Sequence, residues 1–453
     1  MTTEILSVVI PVRDDASQLG QAIASIRAQD RDNVEIIVVD DGSVDDSAQA
    51  ASQHGADRVV SLDSNLGPSM ARNIGLALAS GELVTFLDSD DRMFPERLRR
   101  QEEWLVANPG MSGVIGDQYF EVASGASLPS WHRTFGLADR RSGGSAISVM
   151  VRLRSLLEHG GFDPSFRTAE DLELLMRLER GGAHTGHIRE PLTVKTIHGT
   201  NATYATEAMR SGHLRAVQRL AKPPSSPAIS VIIPVFEAGR YLAAAVESVR
   251  KQSVSELEIV IVDDGSSDDS LAIAQELEAR DPVIRAFGQP HAGPGAARNL
   301  GLLVARGRYI ALLDADDLWT PGKLQMQLER LSEDATVDFV FGIVEEFVSE
   351  DLPSEVAQRL RARPAGIGHI PSALLAQRTA MARIGPFPTG LVAADWAEWY
   401  ARAVEMGGNI ASIADVVTKR RLHETNHSLV RETAKAQYLG VLRRSLARRK
   451  GPV

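Results

Sequence analysis

The sequence predicts an α/β protein made of two tandem, mostly parallel sheets with helices on both faces. Three observations carry this. Short apolar runs of strand length alternate with helical patterns, the order that builds a parallel sheet. The order occurs twice, since Asn65 to Asp91, NLGPSMARNIGLALASGELVTFLDSDD, returns at His291 to Asp317 as HAGPGAARNLGLLVARGRYIALLDADD. Arg72 falls on Arg298, Asn73 on Asn299, Asp88 on Asp314 and Asp90 on Asp316, all 226 positions apart. Register held over that length marks a duplicated module.

Taken in order, Leu6 to Val12 is an apolar strand, and Leu19, Ala22, Ile23 and Ile26 then mark one face of a helix. Val34 to Val39 is the next strand. It stops at Asp40-Asp41-Gly42-Ser43, and a helix begins near Asp45. The second copy repeats both: SVVIPV becomes SVIIPV, and VVDDGSVDDS becomes IVDDGSSDDS. Leu83 to Leu87 reads as a strand buried on both faces. After the acids that follow it, Pro95 opens a helix through Leu105, as Pro321 does in the second copy. Similarity then thins: Gly110 to Ser145 and Phe339 to Gly368 have nothing in common, as expected of loops that choose substrates. Pattern returns at HGGFDPSFRTAEDLELLMRL, where Asp171 begins a helix, and at LVAADWAEWYARAVEMGG, where Asp395 does. The sequence pairs these two aspartates. KTIHGTNAT then matches RRLHETNHS, which pairs His198 with His423.

These patterns divide the chain into a first domain over 1–221, a Pro/Ser linker over 222–227, a second domain over 228–430 and a basic terminal helix over 431–453. Across 453 residues, 43% are hydrophobic, ample for two cores. A net charge of −10 argues against a nucleic-acid partner. The absence of cysteine excludes disulfides and thiolate sites. Glu4 stands where a secretory signal would be basic, and no apolar run is long enough to cross a bilayer, so a cytoplasmic protein is expected. The arginines at the end read as a solvated helix face. Their alternative is docking on anionic lipid headgroups, a peripheral contact at the inner face of the cell membrane.

Chemistry is expected at the carboxyl ends of the strands, where open α/β sheets bind ligands. Placed two apart on a strand, Asp88 and Asp90 would share a face, one gripping a cation and the other a hydroxyl or water. Hard oxygen ligands suit Mg²⁺ or Mn²⁺. His198 and His423, each recurring beside Asn, are read as further metal or diphosphate contacts. Trp396 and Trp399 lie three apart on one helix face as packing residues, with a sugar-stacking platform as the alternative reading.

Each half resembles a family 2 glycosyltransferase of the GT-A fold, a Rossmann-like sheet. The ordered set SVVIPV, VVDDGS, GPSMARNIG, FLDSDD, AEDLELLMRL and IHGTN carries the likeness. The resemblance implies inverting transfer of a sugar from a nucleotide diphosphate donor, usually UDP-linked, assisted by a carboxylate base and a divalent metal. It implies that Asp40 or Asp41 accepts from the uracil N–H and that Arg72 sits by the base or diphosphate. Asp88 would contact ribose, Asp90 would bind metal and Asp171 would be the base. Asp263, Asp264, Arg298, Asp314, Asp316 and Asp395 are the second set. Pro11 and Pro234, standing where a Gly-rich loop would follow the first strand, are grouped with the nucleotide-binding positions. Two such modules are similar to bifunctional polysaccharide synthases, which implies two catalysts acting on a glycan, lipid-linked or other hydroxyl acceptor. The alternative is one working transferase joined to a copy that only binds nucleotide sugar or glycan.

Overall fold

A computed structural model describes residues 4–123, 145–198, 206–221, 227–350, 352, 354–357, 360, 362–391, 394–423 and 431–449. The chain divides into two compact units, Met1–Pro224 and Ser225–Val453. All but the last residue of the Pro/Ser linker lies outside the described residues, as do Asn201 and Asn426.

The first unit holds β1 (Leu6–Val12), β2 (Val34–Asp40), β3 (Arg58–Ser61), β4 (Leu83–Phe86), β5 (Arg92–Met93), β6 (Gly113–Val122), β7 (Val149–Arg152) and β8 (Thr185–Ile197). They form one sheet in the order β3-β2-β1-β4-β7-β6-β8-β5. β1 to β4 run parallel, β7 is antiparallel to both β4 and β6, and β8 runs parallel to β6. The sheet is therefore mixed beyond β4. Strand order reverses between β1 and β4, the kind of switch point beside which open α/β sheets bind ligands.

The second unit repeats this with β9 (Ile229–Val235), β10 (Leu257–Asp263), β11 (Ile284–Gly288), β12 (Tyr309–Leu312), β13 (Leu318–Trp319), β14 (Phe339–Val348), β15 (Gly366–Gly368), β16 (Leu375–Gln377) and β17 (Ile410–Leu422). Its order is β11-β10-β9-β12-β16-β14-β17-β13, with β15 added on β14.

β1 is apolar apart from Ser7 because it lies mid-sheet, with Leu6, Val8, Val9 and Ile10 fully buried and the Ser7 hydroxyl bonded to Glu35. The helix Pro68–Leu78 is buried along its whole length from Ser69. Gly75 allows this, since a Cβ there would stand 2.4 Å from Val9 Cγ1; Gly301 meets Ile232 in the same way. Gly67, at φ 91°, makes the turn that Pro68 converts into helix.

Asn73, a motif residue, belongs to the scaffold. Its amide donates to Phe162 O at 2.7 Å and accepts from Phe162 N–H at 2.8 Å, and Asn299 holds Phe387 by the same two bonds. Each unit closes with a helix, Thr206–Ala221 or Arg431–Arg449. The second is tied to its own unit, for Arg448 pairs with Glu398 and Glu405 while Arg443 and Arg444 stay exposed. No described helix is long and apolar enough to cross a membrane.

Candidate active site

Four segments bring the first unit's polar residues together: the end of β2, the helix Pro68–Leu78, the turn after β4 and the start of the helix Glu170–Arg180. β4 ends at Phe86, so Asp88 and Asp90 do not share a strand face as the sequence suggested. They lie on a turn closed by Asp91 N–H to Asp88 O at 3.2 Å. The turn gathers three acids rather than two, with ligand oxygens of Asp88, Asp90 and Asp91 all within 4.8 Å of one another. This all-oxygen donor set fits Mg²⁺ or Mn²⁺. His198 Nε2 stands 2.8 Å from Asp90 Oδ2, and Ser89 braces the turn through Asp15.

Sequence reasoning missed Lys195. From β8 its ammonium reaches Asp91 Oδ2 at 2.9 Å and Asp88 Oδ2 at 3.4 Å. Burial would raise Asp88, but Lys195 and Arg72 outweigh it and hold the carboxyl below its usual range. Asp91 is fully enclosed, and burial pushes it up to about 7 despite Lys195. A lysine three places before His198 in KTIHGTN was the available signal.

Arg72 is buried and bridges two carboxylates, Asp88 and Glu170, each at 2.7 Å. It thereby ties the acid turn to the head of the helix Glu170–Arg180. Asp171 follows Glu170 and remains half-exposed, accepting from Leu172 N–H at 2.7 Å and Ala146 N–H at 3.3 Å. Burial, then the Glu170 charge, push its carboxyl up to about 6. Ala169 sits just before at φ 60°, a left-handed conformation that costs a non-glycine residue about 1 to 2 kcal/mol.

Of the two aspartates after β2, Asp41 is committed to the scaffold. Its oxygens accept from Leu66 N–H at 2.6 Å and Gly67 N–H at 2.9 Å. Among the described residues the Asp40 carboxylate accepts locally, from Ser43 N–H. In the second unit Asp264 likewise holds Ala292 and Gly293, while Asp263 Oδ1 is buried with no partner among the described residues. An unpaired buried oxygen is costly unless a donor reaches it. Pro11 and Pro234 pair with Val39 and Val262, each beside those acids. Pro11 lies beyond the stretch of β1 that pairs with β4, so its missing N–H removes no ladder bond.

The second unit keeps much of the site but differs at its head. Arg298 joins Asp314 at 2.8 Å and also pairs with Asp395; His423 meets Asp316 at 2.8 Å. No three-acid group forms there among the described residues. Arg420, in the place of Lys195, pairs with Glu346, and buried Asp317 accepts from Ser372.

The pairing of Asp171 with Asp395 does not hold. Phe162 and Phe387, Glu173 and Glu398, Leu174 and Trp399, and His198 and His423 are structural equivalents, all buried except His198 and all 225 positions apart. Arg177 and Arg402 cap the same preceding loop, at Gly161 O and Pro386 O. In this register Asp395 stands for Glu170, as its bond to Arg298 requires, and Trp396 stands for Asp171. The sequence had matched aspartate to aspartate by chemistry, one residue out of register with the packing.

The twice-repeated mixed sheet is of the GT-A type, with acids gathered beyond β4 in the first unit. The chain belongs to glycosyl transferase family 2, whose model matches residues 7–159 and 230–379. It is 28% identical over 398 residues to an uncharacterized glycosyltransferase of Rickettsia felis, covering 74% of this chain and 65% of that protein. Hyaluronan synthase of Pasteurella multocida is 25% identical over 68% of this chain and 38% of its own length. Chondroitin synthase of Escherichia coli is 36% identical over 25% of this chain and 17% of its own. The chain thus spans less than two thirds of these relatives. Among solved structures, S. aureus TarS 1–349 in complex with UDP-GlcNAc matches with a TM-score of 0.40 and 21% identity, over 48% of this chain and 65% of that one.

Proposed function

We propose that this glycosyltransferase moves a sugar from a UDP-linked donor to a hydroxyl of a glycan or lipid-linked acceptor, and that the first unit performs the transfer. One observation carries the proposal: Asp171 stands partly exposed at the head of the helix that Arg72 ties to the acid turn, with no ion pair of its own among the described residues, while its counterpart is Trp396, which cannot take a proton. This favours the reading of one transferring unit joined to one binding unit over two catalysts. Asp395, ion-paired to buried Arg298, takes the bracing role of Glu170.

In the first unit the acceptor oxygen attacks the anomeric carbon and its proton passes to Asp171. The bond from that carbon to the diphosphate breaks, and the nucleoside diphosphate leaves with the electron pair. One base and no carboxylate nucleophile suit inversion. An aspartate cannot ionise a sugar hydroxyl beforehand, but it can accept the proton as attack makes the hydroxyl acidic. Asp88, Asp90 and Asp91, with His198 behind Asp90, would hold Mg²⁺ or Mn²⁺, which when bound offsets charge on the leaving diphosphate. Arg72 fixes the turn against the base helix. Asp40 and Asp263 are the acceptors for the uracil N–H. Exposed Arg443 and Arg444 are available to an anionic membrane surface, where a lipid-linked acceptor would lie.

Titration calorimetry tests the donor assignment. Both units keep the nucleobase aspartate, so UDP should bind more tightly than GDP at two sites per chain. Tighter binding of GDP contradicts the assignment.

A further inference from the structure

We propose that the second unit carries a carbohydrate-binding platform, in which Trp396, Tyr400 and His369 present ring faces to the pyranose rings of a glycan. The inference rests on the reading that this unit does not transfer. It begins with a substitution in kind at equivalent positions of the two helices, where Trp396 replaces Asp171 and Tyr400 replaces Leu175. On the strand beside them, Phe341 replaces Ile115. One half of the duplication has acquired aromatic rings at the spot where the other keeps the group that faces the acceptor.

The rings form an ordered layer. Trp396 stacks on Tyr400 at 6.0 Å and 28°, and Tyr400 stacks on His369 at 5.2 Å and 28°. Phe341 supports all three edge-on from below. Trp396 Nε1–H donates to His369 O at 2.7 Å, which fixes the indole's rotation and binds the platform together. Fixing ring geometry in advance lowers the ordering cost of binding.

The two tryptophans stack on each other at 5.4 Å and 23° but differ in exposure. Trp399 is 1% exposed, bonds Gly385 O and packs on Phe339 and Phe387, so it belongs to the core. Trp396 and Tyr400 are only partly buried, and His369 is exposed, with exposed Ile367 two residues before it. Trp396 also stacks on Phe387, so it is anchored in the core, while Tyr400 and His369 carry the layer of rings out to the surface.

A pyranose matches this surface chemically. Its axial C–H groups make an apolar face that lies flat on an aromatic ring, while its hydroxyls point outward to polar edges such as the Tyr400 hydroxyl and His369. The place fits as well. Trp396 adjoins Asp395, whose Arg298 pair leads directly to Asp314, so a glycan here would lie beside the donor end of the same cleft.

The test uses the full chain carrying Asp171→Asn, so that no product forms during measurement. An array of oligosaccharides containing neutral hexoses, N-acetylhexosamines and hexuronic acids is the probe. At least one class should bind, and Trp396→Ala and Tyr400→Ala should each weaken it by roughly tenfold or more. Trp396→Phe, which keeps a ring face, should retain most of the affinity. UDP binding to the second unit should persist in every variant and reports that the fold is intact. No binding on the array, or binding that survives Trp396→Ala, overturns the proposal. If Trp396→Ala in the Asp171-intact chain removes a sugar linkage from the product, the non-transferring reading fails instead, and array binding still decides the platform.

Discussion

Asp171→Asn should lower turnover by roughly 10² to 10⁴, the contribution of a positioned general base, with little change in donor affinity. Asparagine keeps the size and one of the two bonds from backbone N–H but cannot accept the acceptor's proton. The pH dependence gives an independent check. A carboxyl raised to about 6 is ionised above that pH and protonated below it, so the base is available only on the alkaline side. Turnover of the unaltered protein should fall as pH drops through about 6. The groups facing Asp171 are Glu170 and, through it, Arg72, and neither is removed by the substitution. The residual activity of the variant should therefore lose this limb. A variant that keeps both turnover and the limb would show that another group takes the proton.

The second large effect concerns the acid turn. Asp90→Asn should reduce turnover by about 10² to 10³, equivalent to about 3 to 4 kcal/mol of stabilisation lost where charge develops. Excess chelator should abolish transfer and Mg²⁺ or Mn²⁺ should restore it. The fold should survive both treatments, because Lys195 balances Asp88 and Asp91 from within the protein. Unchanged circular dichroism with lost activity is the expected pair of results. Full turnover in excess chelator would sink the metal assignment.

Much of this architecture is legible in the sequence because duplication is. The apolar strands, the acids after β4 and the histidines that follow β8 and β17 recur in register, and repetition separates them from chance turns. Three features were not legible, each for a physical reason. A strand end and a turn place acids alike in sequence, so the convergence of Asp91 with Asp88 and Asp90 appears only when the chain is seen to bend after Phe86. Lys195 reaches Asp91 from 104 residues further on, across strands whose adjacency no local pattern encodes. The register of the base helix is set by what is buried, Leu174 against Trp399, while the eye matches what is reactive. That single-residue difference places Asp395 on Arg298 as Glu170 is placed on Arg72.

The asymmetry between Asp171 and Trp396 is the central claim, and the product itself tests it. The intact chain, supplied with acceptor and a full panel of sugar nucleotides, should build one type of glycosidic linkage, read by NMR of the purified product. Two distinct linkages, the second persisting in the Asp171→Asn chain, would contradict it and make the second unit a catalyst with a base other than the residue at Trp396.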